Sequence, residues 1–253
     1  MTEKHLKDLK KFWRECPLDK LPYLHPCDEE AKRHEWYKGG YAEYVNRFKN
    51  NELSDKAFHL GLLPQPYHGD LANAEVIILL KNPGFDPLDY VAEEQCPKYR
   101  DAIRKTIHQE LGSHMFLDPK WSWTGGFKWW EPRLREVAQR ISENCFNKSY
   151  GDALTDLAKK VACLELVPYH SKSCGGTTCL ASKSAIREFA KKVAEDRERT
   201  VVVARAVKDW GVRKRCNVRH FSSGQARSAW FGPGSAVGKA ILKCYGLEPS
   251  QGE

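Results

Sequence analysis

Long apolar runs, paired cysteine motifs and a hydrophobic leader are what this 253-residue chain lacks. No uninterrupted apolar stretch comes near the roughly 20 residues that a membrane-spanning helix needs, so no membrane partner is expected. The opening MTEKHLKDLKKFW carries charge where a secretory signal needs an apolar segment, and cytoplasmic residence is the expectation. The nine cysteines are odd in number and none stands in Cys-x-x-Cys, which argues against a disulfide framework and a ribbon-type zinc site. Cys16 with Cys27, and Cys174 with Cys179, lack the close spacing of usual metal sites even with His25 nearby, so neither metal nor cofactor is expected. His34-Glu35 has no second histidine at the zinc-peptidase offset, and no His-x-Glu is accompanied by Pro-Cys-x-x-Cys. Gly234 to Ala240 is one residue short of a P-loop and lacks its final Ser/Thr.

What is present describes a globular chain with 41% hydrophobic residues and a formal charge of +8, a balance that favours a polyanionic partner without naming one. Charged and aromatic residues recur at helical spacing over Lys4–Glu15 and Glu29–Phe48, which predicts an N-terminal helical extension over residues 1–60. Strand-like runs follow at Glu75–Leu80, Val161–Val167, Thr200–Ala204 and Cys216–Phe221, alternating with helical patterns such as Pro132–Glu143 and Ser182–Glu195. Because these strands show no polar alternation, both faces should be buried, as in a parallel sheet flanked by helices. The predicted fold class is therefore α/β: a three-layer α/β/α sandwich on a mainly parallel four-stranded sheet over residues 61–253. A monomer is expected. In such sheets ligands gather at the carboxyl ends of the strands, which brings Asn82, Pro168–His170 and His220–Ser223 to one crevice.

Three segments at those strand ends carry a resemblance. Asn82-Pro83-Gly84 closes the run VIILLKNPGFDP; Leu164-Glu165-Leu166-Val167-Pro168 ends a second strand; and His220 opens HFSSGQARSAWFG, which finishes in two aromatics and a glycine. Together, in this order, they are similar to the motifs of the uracil-DNA glycosylase superfamily, most closely its mismatch-specific and single-strand-selective branches. The likeness runs from about Pro64 to Gly246 and leaves the N-terminal segment unmatched. It implies a monofunctional DNA glycosylase that removes a flipped-out base from double- or single-stranded DNA. On that resemblance Asn82 holds the attacking water and His220 donates to O2 of the departing base, whereas alone each reads as a turn residue and a structural histidine.

The departures from the pattern concern the substrate. Where the classical uracil enzymes place a tyrosine that excludes C5 substituents, this chain has Gly84; where they place a base-reading asparagine, it has Glu165. Glycine leaves room, and an acidic side chain suits the amino group of cytosine. Cytosine N3 is itself an acceptor, so a proton must lie between it and the carboxyl. The expected substrate is a C5-modified cytosine, with defence against phage DNA carrying such bases as the role it suggests. Alternatives are uracil excision in base repair and a non-catalytic nucleic-acid-binding module; Glu165 as half of a structural ion pair is the bland reading of that residue. Phe85 and Tyr90 are candidates for stacking on the base, and Tyr67, His68 and Asp70 for bordering the pocket. Ser222, Ser223, Gln225 and Arg227 are candidates for contacting DNA, with Gly224 unable to act as a wedge. Lys172 and Gly175–Thr178 are candidates for phosphate, and Arg213-Lys214-Arg215 for the backbone of DNA. The segment from Trp121 to Trp130 reads equally as core or as a loop over the pocket mouth.

Overall fold

The computed structural model describes residues 2–33, 35–174 and 179–247; the glycine and threonine stretch 175–178 lies outside the described residues. Among the described residues there are seven strands: β1 (Trp36–Tyr37), β2 (Phe58–His59), β3 (Tyr67–His68), β4 (Val76–Leu80), β5 (Val161–Glu165), β6 (Thr200–Val203) and β7 (Val218–His220). The main sheet has five strands in the order β3-β5-β4-β6-β7, parallel except for antiparallel β3, and β1 and β2 form a separate parallel pair. The four strands expected from the apolar runs all form. The expected count of four is corrected by β3, whose two residues sit in the Pro64–Asp70 segment that the prolines mark as a loop. Pairing of Tyr67 with Leu164 and His68 with Cys163 supplies what local sequence does not.

Every residue of β4 and β5 is buried, which is why VIILL and VACLE read as continuous rather than alternating runs. Helices Tyr150–Lys160 and Ala236–Cys244 pack on the central strands and against the long helix Gly125–Asn144, while helix Ala181–Val193 packs on β5 and against the N-terminal helix Thr2–Arg14. Leu9 and Trp13 of that first helix belong to the same apolar cluster as the sheet. The remainder of the N-terminal segment corrects the prediction of a helix over Glu29–Phe48. A 3₁₀ turn at Pro26–Arg33, strand β1 and helix Tyr41–Lys49 stand there instead. Gly39 and Gly40 fall in its middle, and two glycines together cost a helix about 2 kcal/mol. Among the described residues, no helix is long and apolar enough to cross a membrane.

The register fixes which groups meet at the carboxyl edge. Leu80 pairs with Glu165, and Leu79 pairs with Val203, which in turn pairs with His220. Successive strand residues point to opposite faces, so Glu165 shares a face with Leu80, and His220 lies on the other face with Leu79 and Val203.

Candidate active site

A cavity of about 320 Å³ opens at the carboxyl ends of β4, β5 and β6. Its polar lining comprises Gln65, His68, Asn82, Asp86, Asp89, Glu165, His170, Lys172 and Arg205, and its aromatic walls are Phe85, Phe116, Trp129 and Trp130. That volume lies at the lower end of the range for small-molecule sites, enough for a single ring system.

Asn82 leaves β4 on the turn that ends in Gly84. Its amide nitrogen donates to Ser171 O at 2.8 Å and to Ser171 Oγ at 3.3 Å, which fixes the amide plane. Among the described residues Oδ1 has no protein donor, so the accepting half of the amide is available to a ligand. Gly84 has φ +74, in the left-handed region, and a Cβ built there would meet nothing within 4 Å. Its carbonyl accepts from His170 Nδ1 at 3.0 Å, tying the turn to the segment after β5. Phe85 lies flat on His59, with centroids 3.7 Å apart and planes 6° from parallel, and also lines the cavity.

Glu165 is 3% exposed and its Oε2 has no hydrogen-bond partner. Burial drives its pKa well above the usual carboxylate range, opposed only by the charge of Arg205. Burial thus favours the protonated acid, which has one donor and one acceptor to offer. The structural ion pair that would explain a buried glutamate is not found among the described residues. Two further acids lie on the helix Pro87–Gln95. Asp89 lines the cavity, accepts from Asp86 N at 2.9 Å and is pushed up to about 7 by burial. Glu93, four residues on, accepts from Leu63 N and is pushed up to about 8, again by burial. His170 is drawn down to about 4 by burial, so it is neutral, as is His68, whose Nε2 donates to Gln65 Oε1 at 3.1 Å.

The long helix begins at Gly125 rather than near Pro132, because Thr124 caps it by accepting from Phe127 N at 3.3 Å. Trp129 and Trp130 therefore stand on its first turns and wall the cavity, while Trp121 is buried and Trp123 is exposed. Gly126 is the contact that admits the helix: a Cβ there would lie 2.4 Å from the Phe116 ring.

Of the residues predicted from sequence, the cavity gathers His68, Asn82, Gly84, Phe85, Glu165, His170 and Lys172. Lys172 also reaches Asp55 Oδ1 at 3.4 Å. It does not gather His220, which lines a different groove with Arg219 and Lys239. The cause is the face assignment above. Tyr67 is fully buried and donates its hydroxyl to Ile107 O at 2.6 Å, and Tyr90 bonds with His59 Nδ1 at 3.0 Å, so neither faces the cavity. Asp70 caps the turn at Ala72 and Asn73. Ser222 and Gln225 form a reciprocal capping box on the short helix Ser223–Ser228, which occupies the Gln225 side chain expected to act as a wedge. Ser223 and Arg227 are exposed there, outside the cavity lining.

Sequence reasoning missed Arg205, as it missed Asp86, Asp89 and Phe116 in the same lining. Arg205 follows the end of β6, as Asn82 follows β4, and its backbone N donates to Leu79 O at 3.1 Å. The strand-end rule that selected Asn82 selects Arg205 equally. No family model matches this chain, and neither curated proteins nor solved structures give a significant match.

Proposed function

We infer that the chain is a monofunctional DNA glycosylase that hydrolyses the N-glycosidic bond of a flipped-out base, a C5-modified cytosine above others. The observation that carries this is the pairing in one cavity of a buried carboxyl at Glu165, whose Oε2 has no hydrogen-bond partner, with an amide oxygen left open at Asn82. The two helix sets on a mostly parallel sheet support the same three-layer architecture that the motif resemblance implies.

Glycosidic cleavage places positive charge on the sugar and negative charge on the base. Asn82 Oδ1 accepts from the water that attacks C1′, while its nitrogen, tied to Ser171, keeps the oxygen from turning away. Glu165 presents its hydroxyl to cytosine N3 and its carbonyl to the N4 amino group, which resolves the acceptor-to-acceptor clash that an ionised carboxylate would meet. As the C1′–N1 bond breaks and its electron pair moves onto the base, the Glu165 proton passes to N3. Water adds to C1′, and the proton it releases restores the carboxyl. Gly84 leaves the C5 side of the ring open, and Phe85 offers a face for stacking.

A neutral carboxyl can also face uracil, donating to O4 and accepting from N3–H, which keeps uracil as the second reading. The test is an abasic-site assay on oligonucleotides carrying uracil, cytosine, 5-hydroxymethylcytosine or 5-formylcytosine. The expected order puts the modified cytosines first; uracil above all of them turns the reading to repair of uracil. Asn82→Ala should slow excision by on the order of 100-fold with DNA binding retained. Binding without product from any base, in the wild type, would mean a binding module instead.

A further inference from the structure

The geometry points to Arg205, and not His220, as the cationic group that holds the negative charge of the departing base. This inference rests on the glycosylase reading and assigns within it a catalytic residue outside the motifs that suggested that reading.

Three observations carry it. Arg205 lines the same cavity as Asn82 and Glu165, whereas His220 opens onto another groove from the opposite face of the sheet. The strand order puts β5 and β6 on either side of β4, so Glu165 and Arg205 approach the base from the two sides of Asn82. Finally, the guanidinium is unneutralised. Among the described residues it forms no ion pair, its Nε has no partner, and its one hydrogen bond runs from Nη2 to Arg227 O at 3.3 Å.

A second guanidinium adds to the local positive field. Arg133 stacks over the Trp129 ring at 4.0 Å and donates to Trp129 O, and its affinity for its proton is lowered by burial and then by Arg205. Two arginines that repel each other add positive charge to a cavity that Asp86 and Asp89 also line, and an anion developing beside Arg205 relieves that repulsion. In the reaction the electron pair of the breaking C1′–N1 bond arrives on the base and the Glu165 proton moves to N3, so negative charge appears first on the ring and then on the carboxylate. Arg205 stabilises both, and the charge is gone when the attacking water returns a proton to Glu165. Five fixed N–H donors suit arginine to this better than a neutral imidazole.

The experiment measures single-turnover excision of 5-hydroxymethylcytosine and 5-formylcytosine, two bases of similar size of which the formyl one is the better leaving group. Arg205→Gln should slow the hydroxymethyl substrate by on the order of 100-fold and the formyl substrate by about 10-fold, because a better leaving group needs less help. Arg205→Lys should fall between Arg205→Gln and wild type and show a smaller gap between the bases, and it serves alone if the glutamine variant does not fold. His220→Ala should show a smaller difference between the two bases than Arg205→Gln. Equal slowing of both bases by the Arg205 variants, or the larger leaving-group dependence in His220→Ala, overturns the assignment. A wild-type protein that releases neither base overturns the glycosylase reading itself, which is a different result.

Discussion

Gly84 shows how one residue can serve backbone and ligand together. Its φ of +74 makes any side chain costly, and the empty space around its missing Cβ is the same space in which the proposed base would carry its C5 group. The two roles separate in a pair of variants. Gly84→Ala and Gly84→Tyr should each lose about 1 kcal/mol of stability from the left-handed backbone, read as a drop in melting temperature. Only the tyrosine should lower the ratio of 5-hydroxymethylcytosine to cytosine excision, by about tenfold, as expected for a ring placed against the C5 group. An unchanged ratio would remove Gly84 from specificity. Residue by residue, Asn82 was legible from its place at a strand end and from the motif resemblance, and Glu165 from the resemblance alone. His220 was legible as a residue but not as a direction, since a shift of one position on a strand exchanges its faces.

At the scale of elements, the cavity lies where the start of the helix Gly125–Asn144 meets the turn after β4. Gly126 touches the Phe116 ring, and Gly125 packs beside Asp86, so the helix start lies against the site without side chains between. Gly126→Ala should therefore cost about 1 to 3 kcal/mol through overpacking against a buried ring and slow excision by moving Trp129 and Trp130. Thermal melting and the excision assay read both effects, and a fully stable, fully active variant would show that Phe116 yields freely. The sequence suggested that this helix starts at Pro132, because proline favours a first turn. Tertiary packing carries the helix through Pro132, with Trp130, Leu134, Val137, Ala138 and Ile141 buried along one side. Strand β3 was likewise illegible: two residues directly after Pro66 carry no period, and only the partner strand β5 makes them a strand.

For the molecule as a whole, buried ionisable groups set a pH profile. Asp89 at about 7, Glu93 at about 8 and Glu165, also raised, all bind protons more tightly in the folded state. Their stabilisation is complete below the unfolded carboxyl pKa and is lost as pH rises toward 7 to 8. His59 and His114 at about 3 and His170 at about 4 behave oppositely: their stabilisation is present above the unfolded value of 6.5 and is lost as pH falls through the acid range. Between the unfolded carboxyl pKa and 6.5 the two sets offset each other. The expected outcome is a plateau of melting temperature there, a fall from about 6.5 to 8, and a second fall in acid. Glu93→Gln, which keeps an acceptor for Leu63 N, should flatten part of the alkaline fall. Melting temperatures that rise steadily from pH 6 to 8 would contradict it.

Sequence by itself determined the four apolar strands, the α/β class, and the meeting of Asn82 and His170 at one sheet edge, because period, burial and strand-end position are local properties of the chain. It also supplied the ordered motifs on which the glycosylase proposal began. Tertiary structure alone decided that the Glu165 carboxyl is buried and its proton affinity raised, that His220 faces away and that Arg205 faces in, because proton affinity depends on what surrounds a carboxyl and direction depends on register between strands far apart in sequence.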